Sequence, residues 1–165
     1  MARLDDFNDE PSGQAGDGLR ACNAAPRFVA EVLAGRPYAD PDALVARAEE
    51  VARSLSWDEV SVALAAHPRI GDRPEGSSAE AQASRREQSS MTDADAATRA
   101  ALLEGNRAYE ERFGHVFLIR AAGRSPEEML AELRRRLGND AGAERAEATE
   151  QLAQITGLRV RGLVT

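Results

Sequence analysis

Helix punctuation constrains this chain more than any other feature. Ser125-Pro126-Glu127-Glu128 sets a capping hydroxyl, a proline at the first helical position and a glutamate at the third in one run. Asp40-Pro41 repeats the cap-and-proline pair. Ser56-Trp57-Asp58-Glu59 and Ser77-Ser78-Ala79-Glu80 have capping-box spacing, and Thr92-Asp93-Ala94-Asp95 offers another cap. Apolar residues at helical spacing follow these starts, and Gly35, Gly114 and Gly138 close such runs.

The predicted elements follow from those signals. Helical pieces surround Leu19–Cys22 and Pro26–Leu33, where Phe28, Val29 and Val32 share a face. The next helix repeats Leu44, Ala48, Val51 and Leu55, and another carries Val60, Val62 and Leu64. A long helix holds Leu102, Leu103, Asn106, Tyr109 and Phe113, and one more runs from Pro126 to Leu137. A final helix from about Ala141 carries Leu152 and Ile155, read as core with a dimer face as the alternative. Val116-Phe117-Leu118-Ile119 is the only strand-like run, and four residues are too few to choose between a strand and an extended core segment. Residues 1–18, rich in Asp, Gly and Pro, read as a loosely held arm anchored by Phe7. At 165 residues, with 42% apolar residues but only 4% aromatic ones, the expectation is one all-α domain, a bundle of six to eight helices.

Charge narrows the chemistry. The net charge is −7, and arginine supplies every basic residue apart from two histidines. Without lysine there is no Schiff base and no lysine nucleophile. Arginine is then the only fixed cation that can grip a carboxylate or ureide. The acidic balance argues against nucleic acid as a partner. Arg134-Arg135-Arg136 reads as a solvated helix C-terminus favoured by the macrodipole. The lone Cys22 cannot form an intramolecular disulfide and reads as a small buried apolar residue, which fits a reducing cytosol. No secretory signal, membrane-length apolar run or peroxisomal tripeptide is recognised, so a cytoplasmic protein without a membrane partner is expected.

The chemistry-bearing stretch is His67-Pro68-Arg69-Ile70-Gly71-Asp72, a Gly/Ser/Pro-rich loop, then Ser84-Arg85-Arg86-Glu87-Gln88. Pro68 disfavours α geometry at the residue before it, so His67 ends a helix and turns into the loop. Ser84, Glu87 and Gln88 stand at i, i+3 and i+4 on one helical face. Taken singly, such a trio is ordinary solvated surface, and a histidine before proline is an ordinary structural cap. They gain meaning together only if His67 and Glu87 meet in space, which a short loop between antiparallel helices allows. A carboxylate beside the imidazole would fix its tautomer and stabilise the imidazolium for proton delivery. His115 lies far along the chain in an apolar run and reads as core or surface beside Gly114. With no HxxEH or CxxC spacing, GxGxxG, P-loop or Gly-x-Ser-x-Gly elbow, neither metal nor nucleotide cofactor is indicated.

In this order, His67-Pro68-Arg69-Ile70-Gly71, Ser84-x-x-Glu87-Gln88 and Phe113-Gly114-His115-Val116-Phe117-Leu118-Ile119-Arg120-Ala121 resemble the 2-oxo-4-hydroxy-4-carboxy-5-ureidoimidazoline (OHCU) decarboxylases. Phe7-Asn8, Cys22 ahead of Phe28, Arg36-Pro37-Tyr38 and Leu158-Arg159 extend the likeness along nearly the whole chain. Phe28 stands where tryptophan is frequent, and His115 where an apolar residue or proline is usual. The resemblance implies an all-helical, commonly dimeric, cofactor-free enzyme that releases CO2 from OHCU to give (S)-allantoin in urate breakdown. It implies His67 as proton donor, and Pro68, Ser84, Arg85, Arg86, Glu87, Gln88 and the backbone of Phe117, Leu118, Ile119, Arg120 and Ala121 as the substrate site. Glu87 would orient His67 or hold substrate donors. Arg120 or Arg159 would grip the carboxylate, and the sequence does not choose between them. The rival expectations are a hydrolase of a related ureide and a helical binding or regulatory module without turnover.

Overall fold

The structure is a computed structural model that describes residues 2–68, 79–87 and 95–165. All regular structure among those residues is helical. The helices are α1 (Ala2–Asp9), α2 (Ser12–Cys22), α3 (Pro26–Ala34), α4 (Pro41–Ser54), α5 (Trp57–Leu64), α6 (Ala79–Glu87), α7 (Ala96–Phe113), α8 (Pro126–Arg136) and α9 (Ala141–Val164).

The start signals act as read. Asp40 accepts from the Ala43 N–H at 2.8 Å, and Asp95 accepts from Thr98 at 2.7 Å. Ser56 and Glu59 cap each other reciprocally, as do Ser125 and Glu128. Ser77, Ser78 and Thr92–Ala94 lie outside the described residues. α7 ends in Gly114 at φ 79°, a left-handed position that glycine takes without Cβ strain.

The amino terminus departs from expectation. Residues 2–9 form a helix, and the helix expected around Leu19–Cys22 begins already at Ser12, so neither stretch is a loose arm and the described helices number nine. Leu4 and Phe7 sit one turn apart and are both buried; Ala15, Leu19 and Cys22 do the same on α2. Their polar neighbours hide this narrow apolar stripe in the sequence. Arg36 also ties the segment down, donating to the carbonyls of Phe7 and Glu10, each at 2.9 Å. The Asn8 side-chain amide donates to the Tyr38 carbonyl at 3.0 Å and accepts from the Tyr38 N–H at 2.9 Å, so the Phe7-Asn8 and Arg36-Pro37-Tyr38 motifs form one contact.

Contacts group the chain into two compact units. The first comprises residues 1–63 and 152–165. Leu19, Phe28, Val32, Leu44, Val60 and Leu152 are fully buried there. Leu152 and Ile155 are both buried within the chain, so this stripe is core. Asn23 reaches Thr156 at 3.3 Å, and Arg161 pairs with Asp42 at 2.8 Å.

The second unit comprises residues 64–151. Its core gathers Leu102 and Tyr109 of α7, Met129 and Leu133 of α8, and Phe117, Ile119 and Ala121 between them. Gly105 lets α8 come close, because a Cβ there would lie 2.5 Å from Leu133 Cδ2. Residues 116–120 form no helix and no strand. Membership of the core alternates at 117, 119 and 121, the two-residue period of an extended chain. The strand-like run is therefore an extended core segment.

Candidate active site

α5 ends at Leu64, and the His67 N–H donates to the Leu64 carbonyl at 3.0 Å, adding a last tight turn. Pro68 then stops the helix, as its ring requires. His67 is 9% exposed, so its imidazole is held by its surroundings rather than hydrated as a surface cap. On α6, Ser84 is 2% exposed and Glu87, one turn on, is half-buried, while Arg86 faces solvent. The face carrying Ser84 and Glu87 is thus the inward face, not the solvated one such a trio usually makes. His67, Ser84 and Glu87 all have interaction partners. The Arg85 side chain and Gln88, both expected in the site, lie outside the described residues, as do residues 69–78.

The third part of the predicted site is the extended segment. The Leu118 carbonyl accepts from Arg136 Nη1 at 2.8 Å, and the Arg120 N–H donates to Gln151 Oε1 at 2.8 Å. In an extended chain the main-chain groups of residues 118 and 120 point to one edge, and those of 117 and 119 to the other. The first edge is filled by side chains of α8 and α9. On the second, the N–H and C=O groups of Phe117 and Ile119 make no hydrogen bond with another described residue. An adjacent donor and acceptor of this kind match an amide or ureide.

The two candidate arginines differ. Arg120 is half-buried in the second unit, and its buried Nε has no hydrogen-bond partner among the described residues. Arg159 belongs to the first unit, is 9% exposed, and donates from Nη1 to the Ala21 carbonyl at 3.3 Å. His115 is half-buried, its ring edge-on to Tyr109 with centroids 5.4 Å apart. Among the described residues, no three His, Cys, Asp or Glu side chains could together hold a metal ion.

Arg136 corrects the reading of 134–136 as a solvated run. It is 1% exposed and pairs with the fully buried Glu144. Tyr109 donates to the same carboxylate oxygen at 2.5 Å, and Asn139 donates to the other at 3.0 Å. Burial, then that bond to Glu144, pushes the Tyr109 phenol far above its ordinary value. The sequence did carry a signal for this cluster. Arg136 falls in step with Met129 and Leu133, and Glu144 in step with Ala148 and Leu152, all of them buried. A charge in register with an apolar stripe marks a buried pair.

The OHCU decarboxylase family model matches residues 8–161. A 2-oxo-4-hydroxy-4-carboxy-5-ureidoimidazoline decarboxylase from Amia calva is 34% identical over 141 residues, 84% of this chain and 81% of that protein. The uric acid degradation bifunctional protein TTL of Arabidopsis thaliana is 31% identical over 89% of this chain, which spans 46% of that longer protein. A solved OHCU decarboxylase, determined in the presence of (S)-allantoin, superposes with a TM-score of 0.76. It is 26% identical and covers 90% of this chain and 97% of its own. An (S)-allantoin synthase structure at 19% identity shares the fold, with a TM-score of 0.70 over 98% of this chain and 54% of its own.

The helical fold and these relatives define a carboxy-lyase. More particularly, the chain belongs to the OHCU decarboxylase family.

Proposed function

We propose that this protein decarboxylates OHCU to (S)-allantoin in urate breakdown. The observation that carries the reading is the family match, which runs through residues 8–161 and takes in His67, Ser84, Glu87 and the 117–121 segment.

The substrate bears a carboxylate on a carbon next to a ring C=N unit. When the C–CO2 bond breaks, its electron pair spreads into that unit and CO2 leaves. The ring is its own electron sink, so no cofactor is needed. The protein must align the breaking bond, stabilise the developing charge and protonate one face of the carbon. His67 delivers that proton and is re-protonated from solvent. Glu87 orients His67 or holds the ureido and hydroxyl donors. Pro68 walls the site, and Ser84 and Gln88 hydrogen-bond the ring edge. The free edge at Phe117 and Ile119 gives its N–H and C=O groups to the ureide, and an arginine, Arg120 or Arg159, grips the carboxylate. The buried His67 and Ser84 support this reading over a partner-binding module, which would use an exposed apolar groove. We further take residues 1–165 to act as one domain of a cytoplasmic homodimer, whose mass sedimentation would report.

The test is turnover of freshly made OHCU, followed by CO2 release and by circular dichroism of the product. The parent chain gives one allantoin enantiomer ahead of spontaneous decay; a hydrolase would release no CO2. His67→Asn loses about 10²–10⁴-fold in rate, the usual contribution of general acid catalysis. Activity within about threefold of the parent would remove His67 as donor. Glu87→Gln keeps its fold and loses activity, and a normal rate there would remove the pair.

A further inference from the structure

The Arg136–Glu144–Tyr109 cluster includes none of the candidate site residues but holds the extended segment proposed to bind the ureide. Arg136 donates Nε and Nη2 to Glu144 and spends its remaining nitrogen, Nη1, on the Leu118 carbonyl. Its guanidinium carbon lies 4.5 Å from the centre of the Phe117 ring and 6.0 Å from that of Tyr109. Planarity lets one side chain hold a carboxylate, a carbonyl and a ring face at once. Glu144 is held in turn by Tyr109 and by Asn139. Two residues on from Leu118, the Arg120 N–H donates to Gln151 Oε1. Among the described residues the 116–120 stretch has no neighbouring strand to fix its register, so these side chains do what a sheet ladder would.

A buried ion pair is poor evidence of a gain in stability over apolar packing. An apolar residue at 136 would fill the space, but it could neither hold the Leu118 carbonyl nor set the rotation of the segment about its own axis. That rotation decides where the opposite edge, at Phe117 and Ile119, aims its N–H and C=O groups.

We infer that Arg136, backed by Glu144 and Tyr109, and Gln151 are positioning residues that clamp one edge of the Phe117–Ala121 segment so that its other edge is aligned for the ureide. This rests on the decarboxylase reading above. None of the four touches substrate in this scheme.

The experiment measures kcat and KM for OHCU, and (S)-allantoin affinity by calorimetry, in the full chain. Arg136→Lys keeps a cation for Glu144 but cannot also hold Leu118. Gln151→Leu releases Arg120 from the other clamp and leaves the ion pair intact. Arg135→Gln is the control: Arg135 is exposed and pairs with Glu132 and Glu147 at the same helix end, away from the segment. A misaligned edge raises KM and weakens allantoin binding in both test variants by about tenfold, within what small displacements at a site can produce. The control keeps the parent KM. Partial unfolding gives a different pattern, since it lowers apparent kcat while the folded molecules retain the parent KM. Folded Arg136→Lys with KM and allantoin affinity within twofold of the parent overturns the inference. If Arg136→Lys does not fold, the same result in Gln151→Leu overturns it. A parent chain that does not turn over OHCU removes the decarboxylase reading itself, and the positioning role with it.

Discussion

Glu144→Gln changes this protein by one atom and tests a fully buried carboxylate that accepts four hydrogen bonds. One carboxylate oxygen accepts from Tyr109 Oη at 2.5 Å, from Arg136 Nε at 2.8 Å and from Arg136 Nη2; the other accepts from Asn139 at 3.0 Å. The amide keeps the volume, so no cavity contributes. It removes the charge and replaces one acceptor with a donor. If the new NH2 faces Arg136 and Tyr109, three donors lose their acceptor. If it faces Asn139, only that bond is lost, and this is the orientation the side chain will adopt. The Arg136 cation then stays buried with two neutral acceptors, the Gln oxygen and the Leu118 carbonyl.

Breaking a buried pair by neutralising one partner costs about 3–5 kcal/mol. At this chain length each kcal/mol moves the unfolding midpoint by about 2–4 °C, so a fall of roughly 6–20 °C is expected. Thermal unfolding followed by far-ultraviolet circular dichroism at neutral pH reads it. The double variant Arg136→Met, Glu144→Leu removes both charges together and recovers most of the loss, because no uncompensated ion remains. A Glu144→Gln midpoint within about 2 °C of the parent would refute the reasoning, since an ion pair that matters cannot be neutralised that cheaply.

The same cluster gives the protein an alkaline limit. Tyr109 titrates above its ordinary value in the folded state, so the stability it contributes is complete below the unfolded value of about 10 and is lost as pH rises beyond it. Tyr109→Phe flattens the alkaline limb of urea midpoints, and an unchanged limb would exclude the phenol as its source. At the acid end, the Arg27 guanidinium and then the Ser56 N–H hold Glu59 at about 2. A carboxylate depressed on folding contributes stability above its unfolded value of about 4.3, and this is lost as pH falls towards 2. Glu59→Gln lessens the acid sensitivity of the thermal midpoint over that window; parent and variant falling in parallel would count against the assignment. High salt shrinks the difference, since both side chains are partly exposed.

The parts legible in the sequence are those whose bonds close within a few residues. Asp40, Ser56, Asp95 and Ser125 cap their helices with N–H groups three positions on, and Gly114 needs only its own backbone angle. His67 at a helix end follows from Pro68 in the same local way. The inward turn of Ser84 was not legible, because a hydroxyl, an acid and an amide on one face look alike whether they meet water or a core. The helix at residues 2–9 is illegible for the converse reason. Two apolar side chains among acids are too weak a stripe to predict a helix until Leu4 and Phe7 have something to bury against.

Helix starts and stops, the all-α class and the order of the family's motifs were determined by the sequence alone, because each depends on neighbours along the chain. Tertiary structure decided which polar residues lose their water. Arg136 and Glu144 occupy positions where the helix dipole alone would favour an exposed arginine and an exposed glutamate. They are buried because Tyr109, Phe117 and the Leu118 carbonyl, 18 to 35 residues away, supply the partners that make burial tolerable. Nothing local to either residue could have announced those partners.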